Sequence, residues 1–288
     1  MSFNSILKNK IISIQNTRKI TKAMEMISIS KMRKTQNKML LGKPYYMVLK
    51  QVIKNSMQAN LEYIHPYLKK KKINSIGIII VSTDKGLCGG LNINIFKKTM
   101  DKISYFEKKN YNIKLIIIGS KAKKFFQHYK YEKINIATEI GENPSFKKII
   151  SSVKPIIDLY EKNKIKKIFI SFNKFTNRLV QKPKIIQLLP FSYEEIFLKK
   201  KKNTSWDYIY EPNSKFILNT LFNKYLEFQI YQIILENLAS EQSARMISMH
   251  CATENSDKLI NNLKLQFNKS RQSSITQELS EIISSSTE

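Results

Sequence analysis

The stretch with the most chemical potential is Ser82-Thr83-Asp84-Lys85-Gly86-Leu87-Cys88-Gly89-Gly90-Leu91-Asn92, which gathers a thiol, an acid, a base and three glycines. It follows an apolar run and precedes a helical pattern, the place where α/β proteins hold phosphates or nucleophiles. The partners such chemistry needs are missing. A Walker loop requires G-x-x-x-x-G-K-[ST], and the chain has none, nor a G-x-G-x-x-G fingerprint or a G-x-S-x-G elbow. Cys88 would need a base to become a thiolate, and His65, His128 and His250 are all remote from it in sequence. Glu194 and Glu195 are adjacent, so they diverge on a helix or a strand and make a poor acid/base pair. Cys88 and Cys251 are too few for a disulfide framework or a zinc site. No catalytic residue, cofactor site or metal ligand is expected; the glycines read as tight-turn packing, and His250, beside Met249, as packed in a helical seam.

The elements around that loop form a clear plan. Residues 1 to 41 contain neither glycine nor proline, and neither do residues 213 to 288, so both ends read as long helices. A helix over the last 76 residues would span about 110 Å, which implies a coiled coil or a stalk. Alternating steps of four and three give Leu221, Tyr225, Phe228, Gln232, Leu235, Ala239, Gln242, Met246, Met249, Thr253, Ser256, Ile260, Leu263 and Phe267, of which ten are apolar. The N-terminal stripe is rougher: Leu7, Ile11, Ile14, Ile20, Met24, Ile27, Met32 and Met39, with a gap at Thr17, Arg18 and Thr21.

Between the ends, strand-like runs at Ile76–Val81, Leu115–Ile118, Ile134–Ile136, Ile168–Phe172 and Ile185–Leu189 alternate with helical segments at 91–108, 121–129 and 145–163, the last interrupted by proline. The expected fold is α/β, with a long antiparallel coiled coil of N- and C-terminal helices and an inserted Rossmann-like α/β domain. Its parts are an N-terminal coiled-coil helix over 1–58, the α/β domain over 74–205 and a C-terminal coiled-coil helix over 213–288.

Composition excludes several classes. The longest apolar runs are strand-sized, well short of the roughly 18 to 20 residues of a membrane span, so no direct membrane insertion is expected. Asn4, Lys8 and Lys10 stand where a signal peptide would need an unbroken apolar stretch, which makes the cytoplasm the expected location. The formal charge of +28 suggests nucleic acid or an anionic surface, but only five of the 50 basic residues are Arg, the residue suited to bidentate phosphate and base recognition. Much of this charge reads as compositional drift towards Lys, Ile and Asn. Its distribution is uneven: residues 1–43 hold ten bases and one acid, whereas 213–288 hold seven bases and eight acids. The first helix is therefore a basic rail, complementary to the last helix or to an acidic surface on another subunit. Lys69 to Lys72 and Lys199 to Lys202 read as solvated linkers.

The two ends also carry a family resemblance. Ile14-Gln15-Asn16-Thr17-Arg18-Lys19-Ile20-Thr21-Lys22-Ala23-Met24-Glu25-Met26-Ile27 and Ser30-Lys31-Met32 resemble the opening helix of bacterial ATP synthase gamma subunits. Glu236 to Met246 and Arg271 to Leu279 resemble the closing helix, and Ser82 to Asn92 and Ser205 to Pro212 also look like that family. The resemblance implies a non-catalytic central shaft standing inside a ring of three alpha and three beta subunits, with its α/β domain meeting the epsilon subunit and the membrane rotor ring of c subunits. It would transmit torque and regulate ATPase activity and proton flow, without cofactor, on the cytoplasmic side of the bacterial inner membrane. Carried over by position, Lys19, Lys22 and Met24 would face an acidic lever of a beta subunit, and Arg245, Arg271, Gln272, Thr276 and Glu278 would meet beta-subunit loops. Tyr208 and Glu211 would meet epsilon and the rotor ring. The family signature usually continues into Gly-Ala, where this chain has Ser285 and Ser286. Two rival readings fail on the residues. Chromosome-condensing ATPases need an N-terminal Walker loop, and a peripheral membrane anchor needs an apolar face beside its lysines.

Two outcomes follow from the absent motifs and the Lys bias. Calorimetry on the purified chain should show no micromolar ATP affinity and no turnover; a micromolar Kd refutes this. Binding to duplex DNA should be weak and lose most of its affinity between about 50 and 200 mM salt. A sequence-specific footprint at physiological salt would favour a nucleic-acid role instead.

Overall fold

The computed structural model describes residues 3–59, 65–69, 71–139, 141, 144–191, 211 and 213–285. In chain order the elements are α1 (Phe3–Ala59), a 3-10 turn (Pro66–Leu68), β1 (Ser75–Val81), α2 (Leu91–Glu107), β2 (Asn112–Ile118), α3 (Ser120–Phe126), β3 (Glu132–Ala137), α4 (Phe146–Glu161), β4 (Lys167–Phe175), β5 (Gln181–Leu189) and α5 (Ser214–Ser285). All the strands and short helices expected from periodicity are present, and α4 runs unbroken through Pro155. Glu194, Glu195, Lys199 to Lys202 and Tyr208 lie outside the described residues. Among the described residues no helix is long and apolar enough to cross a membrane.

Contacts divide the chain into two compact units that cut across both long helices: Met1–Ile29 with Arg245–Glu288, and Ser30–Ala244. In the first unit α1 and α5 are antiparallel, since partner numbers fall on one helix as they rise on the other. Arg18 meets Asp257, Thr21 meets Thr253, and Glu25 meets His250. The seam on α1 differs from the expected stripe. Ile20 and Ile27 are 60% and 51% exposed, whereas Thr21, Glu25 and Ser28 are buried. The steps of four and three that begin at Leu7, Ile11 and Ile14 continue through Arg18, Thr21, Glu25 and Ser28, so the supposed gap is the seam itself. Hydroxyls can sit there because each is satisfied. The Thr21 and Thr253 hydroxyls are 2.8 Å apart, and Ser28 Oγ donates to Met24 O at 2.8 Å. His250 likewise departs from its expected packed position. Its side chain is 53% exposed, at the surface between Glu25 and Glu254.

In the second unit the same spacing continues on α1 through Met32, Thr35, Met39, Gly42, Tyr46, Leu49, Ile53 and Ser56, none of them exposed. Gly42 lets the helices close in here: a Cβ would stand 2.2 Å from Gln232 Nε2, so the Gln232 side chain would have to move aside. Tyr46 stacks on Tyr225 at 5.2 Å and Tyr45 packs edge-on against Phe228, so α1 continues past Gly42 and Pro44 on the strength of its packing.

The five-stranded sheet has the order β3-β2-β1-β4-β5. β1 pairs in parallel with β2 and β4, β2 with β3, and β5 returns antiparallel to β4. All of β1 is buried, as a central parallel strand covered on both faces must be. Ile76, Ile78 and Ile80 join the core beneath α2 and α3, which includes Ile95, Ile103 and Phe126. Ile79 and Val81 join the opposite core, built from α4, from Leu49 and Ile53 of α1, and from Phe222, Ile230 and Ile234 of α5. The period-two alternation of β1 thus decides which helices cover which face. At one edge of the sheet, β5 carries Lys182, Pro183 and Lys184, which disfavour pairing with a further strand.

One end of the larger core is aromatic. His65 stacks on Phe222 at 4.4 Å, and its Nδ1 accepts from Tyr67 N at 3.1 Å. Tyr67 donates to Glu161 Oε1 at 2.5 Å. Burial draws the His65 ring down to about 4, with a hydrogen bond to Asn219 opposing. The unfolded chain therefore takes up a proton on this ring at higher pH than the folded chain does. Stability from this group is complete above about pH 6.5 and is lost as pH falls towards 4. Denaturant melts at pH 7 and pH 4.5 should show the parent losing about 2 kcal/mol more than His65→Asn, which keeps an acceptor without titrating. Equal losses would refute this.

Candidate functional site

The loop that invites an enzymatic reading is closed on itself. It follows β1, and its polar groups serve the turn. Thr83 Oγ1 donates to Lys85 O at 2.6 Å, Asn92 Oδ1 accepts from Thr83 N at 3.3 Å, and Asn92 Nδ2 donates to Thr83 Oγ1 at 2.8 Å and to Cys88 Sγ at 3.4 Å. Cys88 is buried with Leu91 and Ala244, as befits a small apolar side chain. Asp84 carries the geometry a bound anion would otherwise have. Its Oδ1 accepts from Ser120 N at 2.9 Å, Ser120 Oγ at 3.0 Å and Glu139 N at 3.2 Å, so the backbone donors after β2 and β3 already hold a negative charge. Gly119 makes this possible: at φ 100° it brings the backbone so close that a Cβ would stand 2.5 Å from Ser82 O.

The crevice at the carboxyl ends of β1 and β2 has a roof as well. Ile234, Asn237, Leu238 and Glu241 of α5 cover it and leave about 60 Å³, far below the 300 Å³ or so of a small-molecule pocket. The long helix thus closes the crevice beside the loop. Among the described residues no cluster of His, Cys, Asp or Glu has the geometry of a metal site.

The positions singled out by resemblance lie mostly in the first unit. Lys19 and Lys22 border an open groove of about 510 Å³ with Arg18, Met26, His250, Glu254 and Asp257. Lys22 Nζ is 3.1 Å from Glu25 Oε2, and Arg18 Nε is 2.5 Å from Asp257 Oδ1. Part of the basic rail is thus balanced within the first unit, the exposed Arg18–Asp257 pair being worth about 0 to 1 kcal/mol. Met24 is half-buried at the margin of the seam, whereas Arg245 is buried at 6% exposure. Arg271, Gln272, Thr276 and Glu278 are exposed on α5, where Thr276 Oγ1 donates to Gln272 O at 2.9 Å. Glu211 is exposed in the second unit, and Tyr208 lies outside the described residues.

Two groups of residues carry more of the structure than motif reading assigned to them. Asp84 anchors the loop, and Asn173, Asn237, Ser240 and Ser243 form a buried polar network. The signal for the network was present: an Asn at the end of the apolar run in β4, and an Asn and two Ser inside a long helix, need partners if they are to be buried.

Comparison with known proteins agrees with this geometry. A family model described as ATP synthase matches residues 5–287. The ATP synthase gamma chain of Buchnera aphidicola subsp. Schizaphis graminum is 51% identical over 98% of this chain and 97% of its own length. That of Buchnera aphidicola subsp. Acyrthosiphon pisum is 51% identical over 99% of this chain and 97% of its own. Among solved structures, a chain of the Euglena gracilis mitochondrial ATP synthase, in an assembly of OSCP, F1 and c-ring, aligns with TM-score 0.64 at 19% identity, covering 99% of this chain and 93% of that one. A chain from the central stalk and c-ring of the Tetrahymena thermophila mitochondrial ATP synthase aligns with TM-score 0.59 at 20% identity, over 81% of this chain and 99% of that one. By sequence over almost its whole length, the chain belongs to the ATP synthase gamma-chain family.

Proposed function

We propose that this chain is the rotating central shaft of a proton-translocating ATP synthase, turning inside a ring of three alpha and three beta subunits and joined to epsilon and to the c-subunit rotor ring. It is a non-catalytic subunit that carries torque and regulates ATPase activity and proton flow. The observation that supports this reading best is the antiparallel pairing of α1 and α5 within the first unit, where Arg18, Thr21 and Glu25 meet Asp257, Thr253 and His250. A helix pair of this kind resists bending while presenting a changing face around its axis. The working division is an N-terminal coiled-coil helix (1–58), an α/β domain (74–205) and a C-terminal coiled-coil helix (213–288). The complex places the chain peripherally, on the cytoplasmic side of the bacterial inner membrane.

Within that assembly, Lys19, Lys22 and Met24 face an acidic segment of a beta subunit, and Arg245, Arg271, Gln272, Thr276 and Glu278 meet beta-subunit loops. Tyr208 and Glu211 meet epsilon and the rotor ring. A rotating surface must avoid a deep attachment at any one angle, because such a well is a barrier at the next step. Met24 suits this, being unbranched, uncharged and half-buried beside basic neighbours. Met24→Lys would add a cation able to gain on the order of 1 to 3 kcal/mol against a desolvated carboxylate at one angle. A well deeper by about 1.4 kcal/mol slows escape roughly tenfold. ATP-driven proton pumping divided by ATP turnover should therefore fall in membranes carrying Met24→Lys and stay at the parent value with Met24→Leu. An unchanged ratio in both variants would show Met24 to be ordinary packing.

A further inference from the structure

The β4–β5 hairpin meets α5 through a polar network set among apolar contacts. Asn237 Oδ1 accepts from Asn173 N at 3.0 Å and from Asn173 Nδ2 at 3.2 Å, and Ser240 Oγ donates to Asn173 O at 2.8 Å. Further along the helix, Ser243 Oγ donates to Arg178 O at 2.6 Å and accepts from Gln181 Nε2 at 3.2 Å. The turn between the strands is itself held by Asn177, whose Oδ1 accepts from Leu179 N at 2.9 Å and Val180 N at 2.7 Å. Asn173, Ser240 and Ser243 are 0% exposed and Asn237 is 1% exposed. Asn173 Oδ1 is buried without a partner, a cost that apolar residues of similar size would avoid.

What the network supplies that apolar packing cannot is registration. Burial of apolar surface is non-directional and tolerates sliding, whereas a hydrogen bond weakens steeply once its distance and angle are lost. Three of these bonds end on hairpin backbone atoms, Asn173 N, Asn173 O and Arg178 O, so they hold the strand itself in place. Asn237, Ser240 and Ser243 stand three residues apart and spread these anchors over roughly 9 Å of helix axis. We propose that this network is a key that locks the α/β domain to α5 against applied torque, with Asn237 and Ser243 as its positioning residues. The proposal rests on the reading of the chain as a rotating shaft.

The test is ATP-driven rotation of the chain assembled with alpha and beta subunits. A bead is attached at the exposed end of α2 through Lys108→Cys, the residue that follows the helix, in a Cys251→Ser background, and torque is read as bead size increases. Asn237→Leu and, separately, Ser243→Ala should rotate like the parent with small beads. With large beads each should deliver lower torque, by about twofold or more, since each loses two bonds. Asn237→Asp, which keeps the accepting Oδ1, should recover most of the parent's torque. Ser243→Ala keeps the test valid if Asn237→Leu does not assemble. Parent-like torque at every bead size, with only a lower thermal midpoint, overturns the key and leaves the network a folding feature. A parent complex whose bead does not turn overturns the shaft reading and the key with it.

Discussion

Helix α5 is buried on every side over part of its length, and much of the second unit follows from that constraint. Between Ile233 and Ala244 no residue is exposed. A helix in that position has no polar face, and its neighbours approach it from more than one direction. Its side chains there must be either large and fitted or small enough to let a neighbour close in. The sequence supplies both, with Ile233, Ile234 and Leu235 followed by Ala239, Ser240, Ser243 and Ala244. The small residues bring the β4–β5 hairpin within hydrogen-bonding reach and let Cys88 and Leu91 pack on Ala244. The same proximity roofs the crevice at the ends of β1 and β2, so one packing decision both anchors the domain and closes the space beside the loop.

Polar groups inside this frame divide by purpose. In the first unit the seam is bound by hydroxyls and an acid, with Thr21, Glu25 and Ser28 where a stability-driven coiled coil would place Leu or Ile. Each finds a partner, so the cost of burial is offset, but the gain per residue is below that of an aliphatic seam. In the second unit, by contrast, the covering helices rest on isoleucine-rich strands. The chain therefore concentrates its apolar stabilisation in the α/β domain and keeps the helix pair only moderately adhesive. Exposed Ile20 and Ile27 beside this polar seam show that the apolar residues of α1 are not reserved for α5.

Much of this was legible in the sequence, and the failures share a cause. The strands were plain because a parallel sheet covered on both faces demands continuous apolar runs, and Ile76 to Val81 is one. The seam on α5 was recoverable by spacing, since all fourteen positions are at least partly buried. The seam on α1 was misread because apolarity was taken as the marker of burial, when register from Leu7 onward was the better guide and led to Thr21, Glu25 and Ser28. His250 was misplaced for the same reason, its neighbour Met249 being buried while the imidazole turns outward to Glu25 and Glu254. In the loop after β1, residue types could exclude known motifs, but only the fold could show Asp84 joined to Ser120 and Glu139, residues brought together by strands far apart in sequence.

The pairing of Thr21 with Thr253 joins residues 232 positions apart, and this sets an order of events during synthesis. The α/β elements are made of nearer neighbours, with β1 pairing β2 across a single helix, and they can close while translation continues. The stretch of α1 from Arg18 to Ser28 has no such opportunity. Its partners on α5, His250, Thr253 and Asp257, are made only after every strand of the sheet, so this stretch is paired later than the α/β elements. A seam of hydroxyls and charges, soluble when unpaired, suits a segment that must wait. An aliphatic seam in that position would be exposed throughout synthesis and open to association with other nascent chains.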